Sequence, residues 1–234
     1  AARVAADGLG VPDPWTDLLA RAEQAALTSV VPSTTAAALS TLWTGQPPSV
    51  HAITGYELWL KEYGMIVNAI THAPIRFVGE PGSMRRAGMN PETFLRLPTL
   101  GPHLADHGIS PFAYHTHALT HSNLSTMLLP DVTNLGYRTL NELWVSLCAN
   151  LRDSGEMRTY SYAYLSEIDD LSHRYGPGDE RVALEILSFG RALSQLMRML
   201  RDPALADTLV LLIADHGQTL TPPDPRYDLS NHPH

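Results

Sequence analysis

Only one cysteine, Cys148, occurs in the 234 residues. An internal disulfide is therefore excluded. The scarcity fits a reducing compartment, so a cytoplasmic location is the expectation, with a removed leader left open. Cys148 follows the apolar pattern Leu143-Trp144-Val145-Ser146-Leu147, which marks a core thiol rather than a nucleophile. No apolar run reaches the roughly 18–20 residues of a membrane span. A basic stripe is missing too: 16 Lys and Arg stand against 24 Asp and Glu, a net charge of −8. That excludes binding along a nucleic-acid backbone. An acidic chain can still take a small anionic substrate when bound cations supply the local positive charge. What the chain does hold is apolar surface, at 44% hydrophobic residues, enough for the core of one large α/β domain.

The pattern along the chain alternates. A helix is expected from Trp15 to Ala25, capped by Asp13 or Thr16, and a buried strand from Leu27 to Val31. An Ala-rich helix follows from Thr35 to Trp43, stopped by Gly45 and Pro47-Pro48. Residues 56–135 are less regular and read as the rest of the sheet plus an inserted cap within about 57–135. Then come a helix over 137–153, a strand over 159–165, a long helix over 179–202 and a strand over 208–214. Strands alternating with helices predict a mostly parallel sheet with helices on both faces, in a single α/β domain over 1–234. The last residues, Asn231-His232-Pro233-His234, are loop-like, so continuation of the domain beyond them is expected.

Chemistry-bearing residues fall just past these apolar runs. Asp7 follows Ala2–Ala6, Thr34 and Thr35 follow Ala26–Val31, Asp169 and His173 follow Thr159–Leu165, and Asp215 and His216 follow Thr208–Ala214. Hard ligands and a hydroxyl at the carboxyl ends of buried strands describe an active site in an open α/β sheet. Each group has a plain alternative. Ser33, Thr34 or Thr35 can be a helix N-cap, although a hydroxyl there also lies where a phosphate binds. Asp169 and Asp170 can be ordinary helix N-cap acids before a solvated loop, although Asp169-x-x-x-His173 can place two ligands on one cation. Asp106-His107-Gly108 repeats the tripeptide Asp215-His216-Gly217, but after a helical stretch, so it reads as a helix C-terminus. His115, His117 and His121 include a His-x-His after a strand, which can bind zinc, but a cap or pocket-lining role suits them better, since no acidic residue is close by in sequence.

In this order, the segments resemble the alkaline phosphatase superfamily, and within it the type I phosphodiesterase and nucleotide pyrophosphatase family. The resemblance rests on Asp7-Gly8, Pro32-x-x-Thr35 leading to Thr44-Gly45, and His51. It continues with Tyr164, Asp169-x-x-x-His173, Gly176-Pro177 and Ala214-Asp215-His216-Gly217. It implies two divalent cations, zinc or manganese. Asp7, Thr35, Asp215 and His216 would surround one, while Asp169, His173 and a late histidine, His232, would hold the other. The family's nucleophile lies nine positions before its Thr-Gly pair, which selects Thr35 rather than Thr34. Where nucleotide-cleaving members carry an asparagine against the phosphate, this chain has Tyr56, which donates one hydrogen bond where an amide donates two.

The implied activity is hydrolysis of phosphodiester or pyrophosphate bonds in a small phosphate ester, through a phospho-threonine intermediate and with net retention at phosphorus. Two alternatives stand beside it: a phosphomonoesterase or phosphonate hydrolase on the same scaffold, and a catalytically inactive binding domain. A sulfatase is excluded, because Thr35 cannot become formylglycine.

Overall fold

The computed structural model describes residues 12–75, 80–222 and 224–226. In chain order the principal elements are helices α1 (Pro14–Leu19) and α2 (Thr35–Thr44), strands β1 (Glu57–Leu60), β2 (Met65–Asn68) and β3 (Ala73–Pro74), then helix α3 (Leu100–Asp106). Strand β4 (Ile109–Thr116), helix α4 (Asn123–Leu128), strand β5 (Thr133–Tyr137), helix α5 (Leu140–Ser154) and strand β6 (Arg158–Ala163) follow. Helices α6 (Glu167–Tyr175) and α7 (Glu180–Met199) close the series. The chain forms two compact bodies. Ala22–Leu165 with Ala192–Gly217 make the larger, and Ser166–Arg191 with the flanking terminal segments make the smaller.

The larger body is built on a parallel sheet of order β5-β4-β6, as expected of an α/β fold. Parallel neighbours need a crossover, and α4 and α5 lie in the two connections. The middle strand β4 buries Ala113 and Tyr114 completely. Helix α5 turns Leu143, Trp144, Leu147 and Cys148 inward, so the cysteine is a core thiol, and burial pushes its pKa up. Its start is set three residues later than the apolar pattern alone indicates. Thr139 caps it by accepting from the Glu142 N–H at 3.2 Å, and the Glu142 carboxylate reaches back to the Arg138 N–H at 2.8 Å.

A second sheet, antiparallel and of order β1-β2-β3, falls in the segment where a cap was expected. Its alternation is that of a half-buried ribbon: Leu58, Leu60 and Val67 face inward while Trp59 and Ile66 are exposed. Helix α2 is held on β6 by Trp43, which is 1% exposed and meets Tyr160 and Tyr162 edge-on at 6.1 and 5.3 Å. Trp43→Ala should therefore cost about 3–5 kcal/mol, lowering the melting temperature by roughly 10 °C. A thermal melt showing a change under 2–3 °C would mean that the ring is not part of the core.

In the smaller body, Asp13 caps α1 and Pro14 opens it. The Trp15 indole donates to the Ile186 carbonyl at 3.1 Å and packs on Phe189. Gly190 permits this approach, since a Cβ there would lie 2.7 Å from the Trp15 Nε1.

Three expected elements differ. Helix α1 ends at Leu19 instead of reaching Ala25, because residues 20–28 meet no packed surface and a short helix does not persist by propensity alone. Neither 27–31 nor 208–214 is a strand, and Leu27, Val31, Leu209 and Leu211 are exposed. An apolar β-branched run satisfies the pattern of a buried strand, but a strand also requires an edge to pair with, which the pattern does not specify.

Candidate active site

The first group is set by the register of α2. Thr34 is the cap: its backbone is extended, and its hydroxyl accepts from the Ala37 N–H at 3.4 Å. Thr35 is the first helical residue, so its hydroxyl is left out of the cap. That hydroxyl lies 3.1 Å from Nε2 of His216. The first-turn N–H groups and the positive end of the helix dipole surround it, the arrangement that attracts an anion.

Asp215 and His216 lie in a bend, not at the end of a strand. Gly217 takes no left-handed conformation, so the turn is not of the kind the tripeptide suggested. The bend is anchored by Ser29, whose hydroxyl donates to the Asp215 carbonyl at 2.6 Å. His216 Nδ1 sits 3.0 Å from the Gly217 carbonyl. A carbonyl only accepts, so Nδ1 carries the proton, and in the neutral ring Nε2 presents a lone pair. That lone pair receives the Thr35 hydroxyl. It also faces Oδ2 of Asp215 at 3.6 Å, and this oxygen is buried with no hydrogen-bond partner among the described residues. A carboxylate oxygen without a donor, beside an imidazole nitrogen and a hydroxyl, is a place where a cation would be held. The donor set of a carboxylate, an imidazole and a hydroxyl suits a divalent metal. Asp7, the fourth expected member, lies outside the described residues. Among the described residues, no cluster of three His, Cys, Asp or Glu forms that could hold a metal.

In the smaller body, Asp169 and His173 stand one turn apart on α6, with Oδ1 and Nε2 3.5 Å apart. Ser166 occupies the cap position, so Asp169 is not the cap. Asp169 Oδ1 also accepts from the Gln218 amide. His173 is mostly exposed, while Asp169 is largely covered. His232, the expected late ligand, and His234 lie outside the described residues.

The remaining candidates separate clearly. His51 is structural: its Nδ1 accepts from the Ile53 N–H at 3.0 Å, which leaves Nε2 as donor to the Thr41 hydroxyl at 3.0 Å. Burial lowers its pKa. Tyr56 is half exposed, and its backbone carbonyl binds the Ala69 N–H. Asp106 and His107 end α3, with His107 Nδ1 bonded to the His103 carbonyl at 2.8 Å, as a helix C-terminus should be. His117 and His121 are exposed, whereas His115 is buried against Tyr162 and Tyr164. Sequence reading missed Ser29 and Gln218, which no local motif marks.

The sequence of the type I phosphodiesterase / nucleotide pyrophosphatase family matches residues 16–232. The chain belongs to that family. No curated protein matches it. Among solved structures, murine ectonucleotide pyrophosphatase / phosphodiesterase 5 is similar with a TM-score of 0.51 and 14% identity, over 76% of this chain and 44% of that one. An inactive form of the same enzyme in complex with AMP matches to the same extent. Phosphonoacetate hydrolase from Sinorhizobium meliloti 1021, in complex with phosphonoacetate, is similar with a TM-score of 0.52 and 19% identity, over 83% of this chain and 49% of that one. These likenesses establish the shared fold, and this family member spans about half the length of those solved relatives. Among its described residues, no helix is long and apolar enough to cross a membrane.

Proposed function

We propose that the chain is a metal-dependent hydrolase of phosphodiester or pyrophosphate bonds in small phosphate esters, with Thr35 as nucleophile. The observation that carries this reading is the Thr35 hydroxyl at a helix N-terminus, outside the cap and 3.1 Å from His216. Thr35, Asp215 and His216, joined by Asp7, would hold one divalent cation. Asp169 and His173, joined by His232, would hold another. Zinc is the expected metal, with manganese as the alternative. When bound, such cations lower the pKa of the Thr35 hydroxyl and offset charge on the phosphoryl oxygens.

The residues divide the work. Thr35 Oγ1 attacks phosphorus, forming one P–O bond as the bond to the leaving alcohol or phosphate breaks, and the hydroxyl proton departs with the leaving oxygen. The helix N-terminus takes the negative phosphoryl oxygens. Water then cleaves the phospho-threonine, and its proton restores the hydroxyl. His216, held through Nδ1 by the Gly217 carbonyl, keeps Nε2 turned toward the reacting hydroxyl. Tyr56 lines the substrate side. Residues 57–74 would form part of a cap over the site.

A second reading is favoured by Tyr56, which lacks the amide of nucleotide-cleaving members: the substrate would be a phosphonate or a monoester. The solved hydrolase that resembles this chain was crystallised with phosphonoacetate. Turnover of a nitrophenyl phosphodiester, the corresponding monoester and phosphonoacetate decides between them. The diester is expected to be cleaved fastest, in protein carrying about two zinc equivalents when purified without chelators. Faster turnover of the monoester or of phosphonoacetate would overturn the diester assignment. Metal-free protein inactive on all three, even after zinc is added, would identify an inactive binding domain.

A further inference from the structure

The end of helix α3 carries two histidines one turn apart, His103 and His107, which the candidate active site does not use. Residues at i and i+4 are neighbours on a helix surface. Here the two rings meet, with centroids 4.5 Å apart and planes tilted by 44°. Both residues are exposed, so an ion reaches them directly from solvent. The backbone fixes how one ring is turned. His107 Nδ1 lies 2.8 Å from the His103 carbonyl. A carbonyl only accepts, so Nδ1 carries the proton and Nε2 keeps its lone pair. An imidazole N–H bonded to a carbonyl is the support that orients metal-binding histidines. The helix beneath is firmly seated. Leu104 is buried, and a Cβ on Gly101 would lie 2.1 Å from the Pro130 carbonyl oxygen, so α3 sits hard against the loop before β5.

Two imidazoles that share one ion at ~2.0–2.1 Å, roughly at right angles, bring their ring centres to ~4.5 Å. The observed separation meets that requirement, and the helix need not move. Nitrogen ligands also select the ion. Calcium and magnesium require oxygen, whereas imidazole suits copper and zinc, with copper(II) bound more tightly. We propose that His103 and His107 form a bidentate surface site for an imidazole-seeking divalent cation, copper(II) before zinc, with water completing the coordination. The site is independent of the roles given to Thr35, Asp169 and Asp215. An ion held there ties residue 103 to residue 107 and so closes the last turn of α3. That turn ends at Gly108, in the left-handed region with φ 66°, and leads at once into the central strand β4. Binding to the folded helix end stabilises it by mass action.

Nitrogen-15 NMR of the full, histidine-labelled chain under zinc titration tests the site. Zinc at the candidate active site moves other histidine signals, so those of His103 and His107 are assigned as the ones lost in His103→Gln and in His107→Gln. In wild type the two are expected to move together, with the largest change on His107 at Nε2. In His103→Gln the remaining His107 should bind zinc about 100-fold more weakly, because a chelate loses the effective concentration that its second arm supplies. His107→Gln should weaken binding at His103 in the same way. Copper(II) should compete zinc off the pair, and magnesium should leave both signals in place. Histidines that respond at different zinc concentrations, or a His107 indifferent to His103→Gln, would reduce the pair to two separate exposed rings and overturn the proposal. A wild type in which neither signal moves would overturn it as well. His103→Gln spares the bond from His107 Nδ1 to the backbone, so a loss of affinity in that variant reads the missing ligand and not a frayed helix.

Discussion

Thr35→Ala should lose phosphodiester turnover by orders of magnitude while the protein keeps its melting temperature within a few degrees. The neighbouring change should do the reverse. Thr34→Ala removes the hydroxyl that accepts from the Ala37 N–H, which costs about 0.5–2 kcal/mol of stability. For a chain of this size that is a fall of roughly 1–8 °C. Its turnover should remain within several-fold of wild type, because the hydroxyl aimed at His216 is untouched. The two effects separate because the helix begins between the two residues: one hydroxyl serves the backbone and the other is available for chemistry. Turnover and thermal melts of both variants form one experiment. Equal and small activity losses would reduce the threonine pair to a cap and remove the covalent intermediate.

Asp215→Asn should abolish turnover and zinc uptake without weakening the metal-free protein. In wild type, a carboxylate oxygen with no hydrogen-bond partner among the described residues faces the Nε2 lone pair of His216 at 3.6 Å. The neutral amide removes a negative charge held beside that ring without a donor of its own, so the apo melting temperature should hold or rise. Loss of the charge removes the ligand that a divalent cation requires. Metal content by mass spectrometry, turnover and apo stability read the three parts separately. A variant that stays active with its full metal complement shows that Asp215 is not a ligand. One that loses stability as well as activity shows that the carboxylate serves the fold.

Much of the architecture was legible in the chain. The helix from Thr35 to Gly45 announces itself by hydroxyls at one end and glycine at the other, and both ends fall where those residues place them. Helix α5 and strand β6 follow their periodicities. The Asp106-His107-Gly108 tripeptide was legible as a helix end because the residues before it are helical. The setting of Asp215 and His216 was not. The run 208–214 has the composition of a buried strand, yet the structure leaves it unpaired and reaches Asp215 through a bend held by Ser29. The two residues were picked out by a context that the structure does not contain. What periodicity cannot supply is the partner, and hydrogen bonds such as Ser29 to Asp215 or Trp15 to Ile186 join residues more than 170 positions apart.

The division between Thr34 and Thr35 also limits how this helix can change over evolutionary time. Threonine is among the weaker capping residues, and aspartate would close the same turn more firmly. With Thr35 as the proposed nucleophile, however, aspartate at 34 would set a full negative charge one residue from the hydroxyl that would meet an anionic phosphoryl group. Drift toward a more durable scaffold at this position is thereby confined to uncharged caps such as serine or asparagine. On the proposed function, the most accessible route to extra stability would be closed by the substrate's own charge.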